Sequence, residues 1–227
     1  MFDNYPNYDS IHSDREREEK LMQDKKDRCH KRGKLYFVLF WLSAFGTPAI
    51  FLIMVLGSTI AVLLDSMGFA YLVAGLLSLI GIVIGVVTAV ILFVLGKEES
   101  CFRAAGIAYL FVAGLNTASQ FLPEGIIKTV VELGTIIATL FYLFEFINGS
   151  IYILAGVDDY IANSWEIIKK VFIYLFAGLV VCIILMFIPI FTFFAVILLI
   201  IAVIIAFGVY IWELVLMFKT ASALKNF

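Results

Sequence analysis

Residues 156–170 read GVDDYIANSWEIIKK, the one long polar island downstream of residue 103 in a chain otherwise built of Ile, Leu, Val, Phe and Ala. Its pattern is that of a helix. Val157, Ile161, Trp165 and Ile168 recur at i, i+4, i+8 and i+11 and so share one face. Asp158, Asp159, Ala162, Glu166 and Lys169 fall mostly on the other. Asp158 and Asp159 suit a helix N-terminus, Lys169 and Lys170 suit its far end, and Glu166 stands one favourable turn before Lys170. The expected element is an amphipathic helix over 157–170. It either lies on a membrane interface or runs straight into the apolar segment after it, with Tyr160 and Trp165 at headgroup level. Its apolar face, Ile161, Trp165 and Ile168, suits a surface linker or a docking helix for a protein partner.

The island matters because lipid is the expected solvent on both sides of it. The 227 residues are 63% hydrophobic and 15% charged, with a mean hydropathy of +1.05. Soluble domains sit near about 45–50% apolar and about 25% charged. A helix needs roughly 20 apolar residues to cross a hydrocarbon core of about 30 Å. Six stretches meet or approach that length: 35–64, 69–95, 102–122, 126–147, 171–187 and 191–217. The first is too long for a straight crossing, so Gly46-Thr47-Pro48 is expected to kink it. The fourth has apolar sequence enough to continue to Leu154. The fold class expected is all-α: a polytopic membrane protein of six helices in three antiparallel hairpins.

Charge sets the sidedness. The joints Asp65-Ser66-Met67-Gly68, Pro123-Glu124-Gly125 and Ile188-Pro189-Ile190 are short and contain no Lys or Arg. Fifteen of the sixteen basic residues fall on the opposite side, in the N-terminal tail, the 97–103 loop, the island and the C-terminus; Lys128 is the exception. The positive-inside rule therefore puts both termini and the island in the cytoplasm. Compactness and the lack of targeting signals point to a bacterial plasma membrane. The first apolar run begins only at Leu35, with no small-residue cleavage site after it, so it reads as a retained span rather than a signal peptide.

Residues 1–34 form a polar tail with nine Lys or Arg and eight Asp or Glu. Its segment Lys25–Lys34 holds six basic residues against Asp27 alone, which suits anionic lipid headgroups rather than nucleic acid. Either a short helix over 13–31 or disorder is compatible with this composition.

Two polar stripes mark the third and fourth spans. Gly106, Tyr109, Ala113, Asn116 and Gln120 recur at steps of three and four, as do Lys128, Glu132, Thr135, Thr139 and Tyr142. Residues equidistant from Glu124 then pair: Gln120 with Lys128, Asn116 with Glu132, Tyr109 with Thr139, Gly106 with Tyr142, Arg103 with Glu145. Glu132, Lys128, Asn116 and Gln120 form a candidate polar pocket, since a charge in hydrocarbon costs several kcal/mol unless paired or hydrated. The same residues serve equally as hydrogen-bonding glue between helices. Arg103 and Glu145 are a candidate ion pair at the inner interface. In the second span Gly75, Ser78, Gly81, Gly85 and Thr88 make a small-residue stripe, with Gly81 and Gly85 as a candidate GxxxG packing site. The fifth and sixth spans are almost wholly large and apolar, with Glu213 near one end, and read as lipid-facing.

Catalytic machinery is not expected. Both histidines, His12 and His30, lie in the tail, and the sequence has no HExxH, Walker A loop or nucleophile elbow. Cys29, Cys101 and Cys182 are too scattered for a disulfide framework or metal site, so neither a metal nor another cofactor is expected. Asn148-Gly149-Ser150 fits a glycosylation sequon but falls on the cytoplasmic side, where it is a chance match. The expected function is a non-enzymatic subunit or scaffold of a membrane assembly, with a membrane or cytoplasmic protein as partner. The alternative is a small-solute or ion transporter using the pocket between spans three and four.

Overall fold

The computed structural model describes residues 8–63, 67–123, 125–186, 188 and 191–227. They form α1 (Tyr8–Trp41), a five-residue π-helical segment (Leu42–Gly46), α2 (Thr47–Leu63), α3 (Met67–Leu95), α4 (Ser100–Phe121), α5 (Ile126–Leu154), α6 (Asp159–Met186) and α7 (Thr192–Asn226). No strand occurs among the described residues. Within the expected tip joints and span ends, residues 64–66, 124, 187 and 189–190 lie outside the described set.

Five stretches are long and apolar enough to cross a membrane: Gly75–Leu95, Ser100–Ser119, Ile126–Leu154, Asp159–Met186 and Phe193–Asn226. The expected first span, 35–64, is not among them. Its helix is interrupted by the π segment, and the α2 portion is 17 residues long. The polar tail does not end as a separate unit at residue 34. Helix α1 runs without a break from Tyr8 through Trp41. The island likewise joins its neighbour, as α6 is one helix of 28 residues.

The pause before α6 has a local cause. Gly156 takes φ +69°, a left-handed conformation that costs a residue with a Cβ about 1–2 kcal/mol. Asp158 then caps the new helix, its carboxylate accepting from the Ile161 amide at 3.0 Å. A glycine stop followed by an aspartate start is what GVDD encodes.

Packing is tightest at the end of the bundle that carries both termini. α4 pairs with α5, α6 with α7, and α1 with α7, so the first and last helices meet. Gly33 permits that meeting: a Cβ there would stand 2.8 Å from the Ala221 carbonyl oxygen and 2.9 Å from the Lys225 amide nitrogen. Tyr36, Phe102, Phe146 and Trp165 interlock at centroid distances of 5.8–6.1 Å. Every polar atom carried into this core is satisfied. Trp165 Nε1 donates to Thr220 Oγ1 at 2.9 Å. Ser150 donates to the Phe146 carbonyl at 2.8 Å, which leaves Tyr36 to donate to Ser150 Oγ at 2.7 Å. Ser150 of the sequon is therefore fully buried.

Toward the tips, contact thins. Among the described residues, a Cβ at Gly75, Gly81 or Gly114 would meet nothing within 4 Å. Most large apolar side chains of α3, α6 and α7 in this half are exposed, which suits a hydrocarbon surrounding.

Candidate functional site: a central cavity

The site begins with a missing hydrogen. Pro48 has no amide N–H, so it cannot serve the carbonyl four residues back, Ala44, or five back, Ser43. The helix opens into the π segment just before it. The Ser43 carbonyl then accepts from the Tyr210 hydroxyl of α7 at 2.8 Å. This bond ties the first apolar stretch to the last, as a sequence-distant donor replaces the local one that proline removed.

Between them lies a cavity of about 340 Å³. Leu42 and Ser43 line it from the π segment, Ile84 and Thr88 from α3, and Tyr109 from α4. Tyr142 and Leu143 come from α5, Phe172 from α6, and Ala206, Tyr210 and Glu213 from α7. Each of the six apolar stretches thus supplies a wall. Tyr109 and Tyr142 meet edge to face at 5.1 Å. Among the described residues Glu213 is the one charged residue of the lining, and no Lys or Arg lines the cavity. About one to two turns nearer the termini, Tyr36, Phe102, Phe146 and Trp165 form a floor, all of them buried. The volume falls within the range of small-molecule sites, roughly 300–1,000 Å³.

The residues singled out from sequence are placed differently. Glu132 and Asn116 are exposed, Lys128 is half-buried, and the side chain of Gln120 lies outside the described set. Glu132, Asn116 and Lys128 do not line the cavity. Asn116 lies about two turns from Tyr109, and Glu132 about three turns from Tyr142, both nearer the tips than the cavity. The expected register also differs. Tyr109 meets Tyr142 rather than Thr139, and Phe102 seats on Gly149, whose Cβ would stand 2.8 Å from its ring. The α4–α5 pair is therefore displaced by about one turn from the symmetric pairing around Glu124. Gly106 instead turns to α3, with its Cβ position 3.3 Å from Leu92.

Arg103 is exposed and is not joined to Glu145, which lies beside the Cys101 thiol. The ion pair at this end is Arg32 with Glu98. Among the described residues a Cβ at Gly81 would meet nothing within 4 Å, and one at Gly85 would meet the Tyr109 ring at 3.8 Å, an ordinary van der Waals contact. Ser78 of the same stripe has a side chain outside the described set. Ile161, Trp165 and Ile168 do share a face, but α6 turns it inward. Trp165 and Ile168 have no exposed surface, and Ile161 keeps 7%. That face is filled by the chain's own helices and is not free for a partner. In the tail, Lys25 stacks over the Phe227 ring at 4.9 Å, while Lys26, Arg28, Lys31 and Lys34 are exposed.

The α7 wall was the part missed from sequence. This helix, read as lipid-facing, presents Ala206, Tyr210 and Glu213 to the cavity, then Met217, Thr220 and Leu224 to the core. The steps of four, three, four, three and four are one helix face. The chain matches no protein-family model, no curated protein and no solved structure.

Proposed function

We propose that this protein is a non-enzymatic, six-span plasma-membrane protein that binds and passes a small solute, with both termini in the cytoplasm. The observation that supports this reading is the central cavity, to which every apolar stretch contributes and in which an acidic side chain stands. An ionisable residue facing the interior of a membrane bundle is costly and marks a solute path by default. Its closed side carries the basic residues and the tightest packing, so access is from the tip side. The test fills the cavity. Ala206→Leu and Ala206→Phe each place bulk where solute would sit. A panel of small polar solutes is then screened for thermal stabilisation of the purified protein, with flux of the best binders measured in proteoliposomes. A solute that stabilises the parent protein, crosses the membrane and loses both effects in the filled variants supports the reading. No stabilising solute, together with filled variants more stable than the parent, makes the cavity a packing void and sinks it.

A second reading, a scaffold for a cytoplasmic partner, rests on the tail. Residues 15–28 of α1 are exposed along their whole length, and Leu21 and Met22 keep 61% and 55% of their surface. On this reading Leu21→Glu removes a stoichiometric partner from the protein extracted in mild detergent, seen by native mass spectrometry, while its melting temperature is unchanged. A tail that retains its partner after the change, or carries none before it, rules the scaffold out.

A further inference from the structure

Resting on the solute-binding reading, we infer that the central cavity is selective for a small organic ammonium ion. Three features of the lining carry this. Glu213 is its one charged group, and nothing basic offsets it, so an anion is repelled and a cation supplies the missing partner. Tyr109, Tyr142 and Tyr210 surround the same space, with Tyr109 and Tyr142 in edge-to-face contact at 5.1 Å. Aromatic faces attract cations within about 6 Å, most strongly where water is excluded. The remaining walls, Ile84, Leu143 and Phe172 among them, are apolar.

Size and lining together decide between a metal ion and an organic one. A cavity of about 340 Å³ has room for roughly ten waters at about 30 Å³ each. A bare alkali ion would leave most of that space to water against apolar walls. An alkylammonium ion fills the space, puts its alkyl groups on the apolar walls and tyrosine faces, and sets its charge against Glu213.

The test uses the full-length protein in detergent and three probes at constant ionic strength: choline, its neutral carbon isostere 3,3-dimethyl-1-butanol, and potassium ion. Thermal melting and isothermal titration are the readouts. The expected result is a melting temperature raised by choline alone, with Glu213→Gln weakening choline binding about tenfold or more. Equal stabilisation by the neutral isostere overturns charge selectivity while leaving solute binding intact. Stabilisation by potassium alone overturns the organic class. Binding by none of the three overturns the inference, and the filled Ala206 variants then judge the solute reading separately. The comparison of choline with its isostere needs no variant, so it stands even if Glu213→Gln fails to fold.

Discussion

Trp165→Ala is expected to lower the unfolding free energy by about 3–5 kcal/mol. The indole is fully buried, packs on Phe146 at 5.8 Å and donates to Thr220 at 2.9 Å. Truncation removes that volume from a core that cannot fully collapse, since α5 and α7 hold it open. It also leaves the buried Thr220 hydroxyl without its donor, which alone costs about 1–3 kcal/mol. Trp165→Phe separates the two effects, because it keeps most of the apolar volume and loses the hydrogen bond. It should cost about 1–3 kcal/mol. Denaturant titration of the purified protein in detergent measures both. A near-neutral Trp165→Ala would mean that the α6 face is not part of the core, and would return it to the surface role expected from its sequence alone.

Gly33→Leu should be comparably damaging, at about 3 kcal/mol or more. The atoms its Cβ would meet, at 2.8 and 2.9 Å, are backbone atoms of α7 and cannot rotate away. The meeting of α1 with α7 would be lost locally, and with it the neighbouring contacts of His30 with the Lys225 carbonyl and of Lys25 with Phe227. Trypsin reads this directly, as cleavage after Arg32 and Lys34 should become fast relative to the parent protein. Gly81→Leu is the informative control. Its Cβ would meet nothing within 4 Å among the described residues, so the glycine with the recognisable motif should tolerate the change and the glycine without one should not. Equal tolerance at both positions would refute the close α1–α7 crossing.

Much of the architecture was legible because it follows from solvent and periodicity. Apolar runs of about 20 residues separated by polar joints mark helices in lipid whatever their neighbours are. The shared face of Ile161, Trp165 and Ile168 was likewise a local fact of 3.6 residues per turn. What that face touches was not. Periodicity states that side chains point the same way. It does not state whether water, lipid or another helix stands there, and here α5 and α7 do.

The site shows the same division more sharply. The stripes on α4 and α5 were real in the sequence, but a pairing taken from symmetry about a turn assumes equal depth for both helices. The fit of Phe102 onto Gly149 displaces that register by about a turn, and Glu132 and Asn116 are exposed about two to three turns nearer the tips than the cavity tyrosines. Glu213 was plain to see yet lay among large apolar residues, so nothing local showed which way it turned. Its position comes from long-range events: Gly33 admits α7 against α1, and Pro48 leaves a Ser43 carbonyl for Tyr210 to serve across 167 residues of sequence. The sequence by itself determined that the chain is helical, apolar enough for a membrane, and segmented where GVDD and the tip joints break it, because composition and short-range geometry decide those things. Only the tertiary structure decided which faces meet, and so where the cavity lies, because helix rotation and register depend on close contacts between residues far apart in the chain.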